Sequence, residues 1–283
     1  VRSMFSGIER VETDGQLSHG GSGTNYLIVG SDSREPVEGD QPGINDGPDE
    51  TGQRADTMLV LNVNGGETKM MSIPRDLWVT RADNGQEGKV NGAFNGGAPA
   101  LLQTLKDNLD LPIDRYIEVD FVSFAGLVDA LGGITIDFPN PATDAKSGLN
   151  VTSSGPVELD GEQALAYVRS RSYVEHIDGQ QVTDGRGDLG RIERQQRFLS
   201  AVFGKLGDTK NPIALLRAFD KTSSGLRIDD EMGLFDAIRL GWRLRGGFEP
   251  EPLELITTDA RIGSTSALLL DETASEPILE QFR

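Results

Sequence analysis

The chain has 283 residues, with 45 acidic against 27 basic side chains and a formal net charge of −18. That excess argues against nucleic acid or an anionic membrane surface as a nonspecific partner, since either calls for a basic face. The absence of cysteine excludes disulfides, thiolate nucleophiles and thiolate metal sites, and two histidines leave little basis for a zinc hydrolase or a histidine-based triad. In chain order, residues 1–23 read as a short helix followed by a loose polar arm. Residues 24–30 form a short apolar run bounded by turn residues. They predict a buried strand that delivers Ser31, Asp32, Ser33 and Arg34 to its carboxyl end, where ligands of open α/β sheets bind. Residues 35–53 hold six acids and no base and read as a mobile surface loop. Residues 57–63 and 68–73 flank Asn64-Gly65-Gly66 and predict a hairpin, with Pro74-Arg75-Asp76 at its exit and a short strand over 77–80.

Leu101, Leu102, Leu105 and Leu109 repeat at helical spacing and predict a helix over 97–109 with one core face. A strand over 115–119, a helix over 121–131 ended by Gly132-Gly133, and a strand over 134–138 follow. Residues 139–156 read as loop, Asp160 opens a helix that ends near Arg169 and Arg171, and 172–190 read as irregular. A long amphipathic helix spans 189–206, with Arg191 and Gln195 four apart on one face. Helices over 212–222 and 231–244, a strand over 253–257 and a short helix over 275–283 complete an α/β fold: a mixed central β-sheet sandwiched between α-helical layers, with a small accessory hairpin.

Chemistry concentrates at the ends of these elements. Residues 164–198 place six arginines within thirty-five residues of an acidic chain. A guanidinium is a planar fork that stays charged and grips phosphate or carboxylate oxygens in pairs, so this cluster points to a polyanionic ligand. Arg186, Arg194 and Arg197 read instead as surface ion-pair partners. Asp32 and Asp56 suit Mg²⁺, which takes a few oxygen ligands and shares the rest with water and phosphate, while arginines around it suit a pyrophosphate. No phosphate-loop, dinucleotide or nucleophile-elbow signature is present.

The segments G-S-D-S-R at 30–34, R-A-D-T-M at 54–58, S-I-P-R-D at 72–76, K-V-N at 89–91, A-L-A-Y-V-R-S-R at 164–171 and G-D-L-G-R-I-E-R-Q-Q at 187–196 resemble, in order and spacing, the LytR-CpsA-Psr family of cell-wall phosphotransferases. The resemblance is strongest over 24–205 and treats 24–283 as one catalytic domain behind an N-terminal arm over 1–23. It implies an enzyme on the extracytoplasmic face of the cell membrane, held by an N-terminal anchor that would precede Val1. Such an enzyme transfers a glycopolymer from a polyprenyl-pyrophosphate carrier to a peptidoglycan sugar hydroxyl. It further implies that Asp32 and Asp56 hold Mg²⁺ or Mn²⁺, that Arg75, Arg169, Arg171 and Arg191 bind the pyrophosphate, and that Lys89 and Gln195 complete the polar shell. Arg54 and Asp188 are ligands of the substrate or partners that hold those ligands. Either Asp76 or Asp32 accepts the hydroxyl proton. A lipid groove is implied as well, with Phe124 a candidate lining residue, although apolar stripes at helical spacing are more often core. A pyrophosphatase acting with water, and a non-catalytic binder of lipid pyrophosphate or wall polymer, use the same cations.

Overall fold

The computed structural model describes residues 9–20, 23–31, 55–65, 67–185, 188–208, 226–233, 236, 240 and 251–283. Asp32, Arg54, the acidic loop over 35–53 and the helix expected over 212–222 lie outside these, as does most of the helix expected over 231–244. The side chains of Asp56, Phe124 and Asp188 lie outside them too.

The strands of the central sheet are β1 (Glu9–Val11), β2 (Thr24–Ser31), β3 (Ala55–Asn64), β4 (Glu67–Ile73), β7 (Arg115–Asp120), β14 (Leu226–Asp229) and β15 (Glu251–Glu254). Among the described residues they form a seven-stranded sheet in the order β1-β14-β7-β2-β3-β4-β15. The sheet is mixed: β2 runs parallel to β7 and antiparallel to β3, and β4 is antiparallel to β3 and parallel to β15. Alternation along β2 and β3 sends side chains to two separate cores. Tyr26, Ile28, Leu59 and Leu61 join α2 (Phe121–Ala130), α3 (Gly161–Arg169) and α4 (Asp188–Asp208) on one face. Leu27, Val29, Met58 and Val60 face α1 (Gly97–Leu109), a 3-10 turn over Val90–Gly96 and α5 (Glu272–Leu279) on the other. The sheet between helical layers is as the sequence predicts. Gly161 is where α3 abuts α2: a Cβ there would lie 2.2 Å from the Ala125 carbonyl oxygen, so only glycine allows the approach.

Three segments depart from expectation. Glu9–Val11 form an edge strand rather than part of a helix, pairing with β14 while Arg10 Nη1 donates to the Asp229 carbonyl at 2.8 Å. The stretch over 139–156 holds β9 (Ala142–Asp144) and β10 (Leu149–Val151), and its last residues open β11 (Gly155–Leu159), which pairs with β8 (Ile134–Phe138). The stretch over 172–190 contains a hairpin of β12 (Val174–Ile177) and β13 (Gln180–Thr183), whose turn residues Asp178 and Gly179 have φ of 50° and 78°. An Asp-Gly turn with two positive φ values is the hairpin signal, but the flanking strands are polar and lack the alternation that marks a half-buried strand. With β9 and β10 this hairpin makes a four-stranded accessory sheet among the described residues. Smaller pairs complete the fold: β5 (Trp78–Thr80) with β6 (Glu87–Lys89), and β16 (Thr257–Ile262) with β17 (Thr265–Leu270).

One buried amide ties the C-terminus to the sheet. Asn25 Nδ2 donates to the carbonyls of Pro112, at 2.8 Å, and Phe282, and its Oδ1 accepts from Asn62 Nδ2 at 2.7 Å. Phe282 is itself buried in the core facing α1. Asn25→Ala strands these buried partners, and chemical denaturation should show a loss of about 2–3 kcal/mol. A change within experimental error would mean that the amide network does not anchor the C-terminus.

Candidate functional site

The register of the central sheet brings four strand ends to one edge. Gly30 pairs with Thr57 on one side and Val119 on the other, Ser31 with Ala55 and Asp120, and Met58 with Ile73. The residues just before Asp32, on both sides of Asp56 and two before Arg75 are therefore neighbours. Between Gly30 and Ser31 the register slips, leaving Asp56 as the extra residue of a bulge, a device that re-aims a side chain at the end of a ladder.

Arg75, Asp76 and Lys89 come together at this edge. Lys89 Nζ lies 2.7 Å from Asp76 Oδ1, and Arg75 Nε lies 3.7 Å from Asp76 Oδ2. The three side chains are 21–31% exposed, so a ligand can reach them. Ion pairs this exposed add little stability; their effect is to orient the two cations. The K-V-N segment also holds the backbone of the other motif, with Val90 N–H donating to the Leu77 carbonyl at 2.8 Å and Asn91 N–H to the Arg75 carbonyl at 3.2 Å.

The remaining cations come from the junction of α3 and α4. Asp160 caps α3 by accepting from Gln163 N–H at 2.9 Å, and the helix ends at Arg169 with Ser170 in an extended conformation. Ser170 is fully buried. Its Oγ donates to Asp144 Oδ2 at 2.7 Å, Ser172 N–H donates to the same oxygen at 2.8 Å, and the Ser170 carbonyl accepts from Arg194 Nη2 at 2.9 Å. The backbone on both sides of Arg171 is thus held, while Arg171 is exposed and Arg169 partly so. Arg191 and Gln195 share the sheet-facing side of α4, both buried, and Gln195 Nε2 donates to the Val168 carbonyl at 3.4 Å.

Arg194 is not a surface ion-pair partner. It is 5% exposed, its Nη1 donates to Asp184 Oδ2 at 2.9 Å, and its guanidinium carbon sits 4.6 Å from the Tyr173 ring centre. Gly190 makes this pairing fit, because a Cβ there would lie 2.1 Å from Asp184 Oδ2. Arg197 is exposed, as expected, and Arg186 lies outside the described residues.

A cavity of about 20 Å³ links the two groups of motifs. Gly30, Thr57, Ile28 and Val119 of the sheet form one wall, and Val168, Gln195, Phe198 and Leu199 of α3 and α4 the other. Thr57 Oγ1 and Gln195 Oε1 are buried without a hydrogen-bond partner among the described residues. A space of this size has room for one water, which would meet two such groups. For the divalent cation implied by the resemblance, the bulge at Asp56 and the pairing of Ser31 with Ala55 bring the segments carrying both carboxylates to one place. Among the described residues no group of three or more histidines and carboxylates surrounds a common point.

Asp144, Ser170 and Arg194 are the contributors that sequence reasoning misses. Asp144 is buried, which by itself would raise its pKa. The Ser170 hydroxyl and the amides of Ser172, Lys146 and Ser147 outweigh that and hold the carboxyl below the usual carboxylate range. A carboxyl with a lowered folded-state pKa stabilises the fold above its unfolded pKa, and this contribution is lost as pH falls through the folded value. The stability gap between wild type and Asp144→Asn should therefore be constant near neutrality and shrink below about pH 4. Denaturation curves across pH 7 to 3 check this, and a gap independent of pH would contradict the assignment.

Comparison with known proteins agrees with this arrangement. Residues 6–248 match the LytR_cpsA_psr family. The probable cell wall biosynthesis protein LcpB of Corynebacterium glutamicum is 32% identical over 269 residues, which are 93% of this chain and 61% of LcpB. The polyisoprenyl-teichoic acid–peptidoglycan teichoic acid transferase TagU of Halalkalibacterium halodurans is 31% identical over 257 residues, 88% of this chain and 74% of TagU. The chain thus spans 61% and 74% of the lengths of these two relatives. Among solved structures, the LytR-Csp2A-Psr enzyme from Actinomyces oris has the same fold, with a TM-score of 0.72 at 24% identity over 97% of this chain and 95% of that one. With that family matched over most of its length, and with its motif segments gathered at one edge of the sheet, the chain belongs to the LytR_cpsA_psr family.

Proposed function

We propose that this protein transfers a glycopolymer from a polyprenyl-pyrophosphate carrier to a sugar hydroxyl of peptidoglycan, forming a phosphodiester. What supports this reading is the placement of the segments that carry the cations: the small cavity sets Gly30 and Thr57 against Val168 and Gln195, next to Arg169 and on the helix of Arg191, and the sheet pairs Met58 with Ile73, two residues before Arg75, in an otherwise acidic chain. The names of its relatives, a cell wall biosynthesis protein and a teichoic acid transferase, support it.

In this reading the acceptor hydroxyl oxygen attacks the phosphorus nearest the glycan, the bond to the bridging oxygen breaks, and polyprenyl phosphate leaves with the electron pair. Arg75, Arg169, Arg171 and Arg191 bind the pyrophosphate oxygens and stabilise charge on the transferring group and on the departing phosphate. Asp76 faces Lys89 and Arg75 and would aim both cations, and either Asp76 or Asp32 would take the proton that the attacking hydroxyl loses. Asp32 and Asp56 would hold Mg²⁺ or Mn²⁺, which neutralises phosphate charge when bound. Gln195, with the apolar walls of the small cavity, meets the first part of the lipid. At about 20 Å³ that cavity has room for a water only, so a polyprenyl chain entering there would have to part its walls.

The substrates place the reaction on the extracytoplasmic side of the cell membrane, and anchoring in that membrane is part of the same reading. Among the described residues no helix is long and apolar enough to cross a membrane.

Incubation with Mg²⁺, a polyprenyl-pyrophosphoryl glycan and peptidoglycan oligomers should yield a phosphodiester-linked product by mass spectrometry. Release of phosphorylated sugar alone would mark a hydrolase, and tight binding without turnover would mark a binder. Arg75→Ala and Arg169→Ala should each lower turnover about 10²- to 10³-fold. Chelation by EDTA should abolish transfer and Mn²⁺ or Mg²⁺ restore it. Unchanged metal-dependent turnover in Asp32→Ala and Asp56→Ala would refute the ligand assignment.

A further inference from the structure

A second and larger cleft opens beside this site. It has a volume of about 530 Å³ and lies between the β8–β9 connection, the β12–β13 hairpin and the first turns of α4. None of the pyrophosphate candidates Arg75, Arg169, Arg171 and Arg191 lines it. On α4 it is lined by Gly190, Glu193, Arg194 and Arg197. Their spacing of three and four defines a face distinct from that of Arg191 and Gln195. The volume falls within the range of small-molecule sites.

We propose that this cleft is a glycan subsite that binds an uncharged sugar segment next to the pyrophosphate. The inference rests on the transferase reading above and adds to it where the sugar is held. Charge decides the class of ligand. Four carboxylates line the cleft, at Asp137, Glu175, Asp184 and Glu193, against two guanidiniums, Arg194 and Arg197. Arg194 is already paired with Asp184. A phosphate-rich or carboxylate-rich ligand would meet net repulsion here, the reverse of the neighbouring edge.

An uncharged sugar suits such walls, because its hydroxyls donate to carboxylates and accept from Arg197 and Asn140. Its C–H face needs apolar surface, which Pro139 and Val182 supply. Val182 is 44% exposed on a hairpin strand whose other residues are polar, so a large apolar side chain is presented to the cleft. Tyr167 and Tyr173 form the floor, and burial pushes both phenols above their ordinary pKa, so they stay neutral.

The cleft also touches the chemistry. Arg194 lines it and donates to the Ser170 carbonyl between Arg169 and Arg171, so a sugar in the cleft lies one side chain away from the pyrophosphate arginines. The bound segment comes from the peptidoglycan acceptor strand or from the glycan of the donor.

Calorimetric titration with N-acetylchitotetraose, a neutral hexosamine oligomer, tests the subsite without turnover. Wild type and Arg75→Ala should bind alike. Val182→Trp, which fills the mouth from an exposed position, should weaken binding about tenfold. Asp137→Ala, also exposed, should weaken it several-fold and leaves the core intact. No binding by wild type, or equal binding by both cleft variants, overturns the subsite whether or not the transferase reading stands. In the transfer assay, a raised KM for peptidoglycan oligomers alone assigns the acceptor strand, and a raised KM for the lipid donor alone assigns the donor glycan. Unchanged KM for both substrates overturns a role for the cleft in the reaction.

Discussion

Arg194 is a buried cation with its charge divided three ways: an ion pair with Asp184, a hydrogen bond to the Ser170 carbonyl and stacking on Tyr173. Burying a guanidinium is costly unless it is paired; here both terminal nitrogens and one face are met while Nε has no partner among the described residues, and removing one partner of such a group typically costs about 3–5 kcal/mol. Here the partners come from the end of α3, the loop before α4 and the strand-bound segment between them. The geometry that satisfies Arg194 therefore also fixes where α3 ends relative to α4, and with it where Arg169 and Arg171 stand. Asp144 does the same from the other side by accepting from Ser170 Oγ and Ser172 N–H. Two oppositely charged buried groups grip one short turn, at Ser170 between Arg169 and Arg171.

This division of labour explains how an acidic chain builds a cationic site. Of the cations in the proposed site, Arg75, Lys89, Arg169 and Arg171 are at least partly exposed and Arg191 is buried, while Asp144, Ser170 and Arg194, which hold the turn after α3, are buried. Asp76 aims Arg75 and Lys89, and the K-V-N backbone holds the Arg75 carbonyl. Acidic side chains near an arginine cluster thus serve to orient it. The lining of the larger cleft continues the pattern, since Asp137, Glu175 and Asp184 set carboxylates against the side of α4 that carries Arg194 and Arg197.

Much of this was legible in the sequence, for physical reasons. β2, the β3–β4 hairpin, α1 and α4 carry strong apolar periodicity, and helical spacing alone places Arg191 beside Gln195. The accessory sheet was not legible. Strands of three residues such as β9 and β10 have no measurable period, and β12 and β13 are too polar for alternation to mark them, although Asp178-Gly179 was a usable hairpin signal. Arg194 reads as a surface residue because charge on a helix is normally solvated, and burial by a loop that returns from outside the helix leaves no periodic trace. Asp144 is hidden for the same reason: its bonds to Lys146 and Ser147 are those of an ordinary turn, and the partners that matter to the site, Ser170 and Ser172, are 26 and 28 residues away.

The central claim is that the pyrophosphate lies at the shared edge of the sheet, between the Arg75 side and the Arg169–Arg171 turn. A crystal structure with a polyprenyl methylenediphosphonate, whose bridging carbon resists cleavage, tests it most directly. Its two phosphorus groups should sit within hydrogen-bond distance of Arg75, Arg169, Arg171 and Arg191. Phosphonates seated elsewhere, with these arginines unengaged, would contradict it.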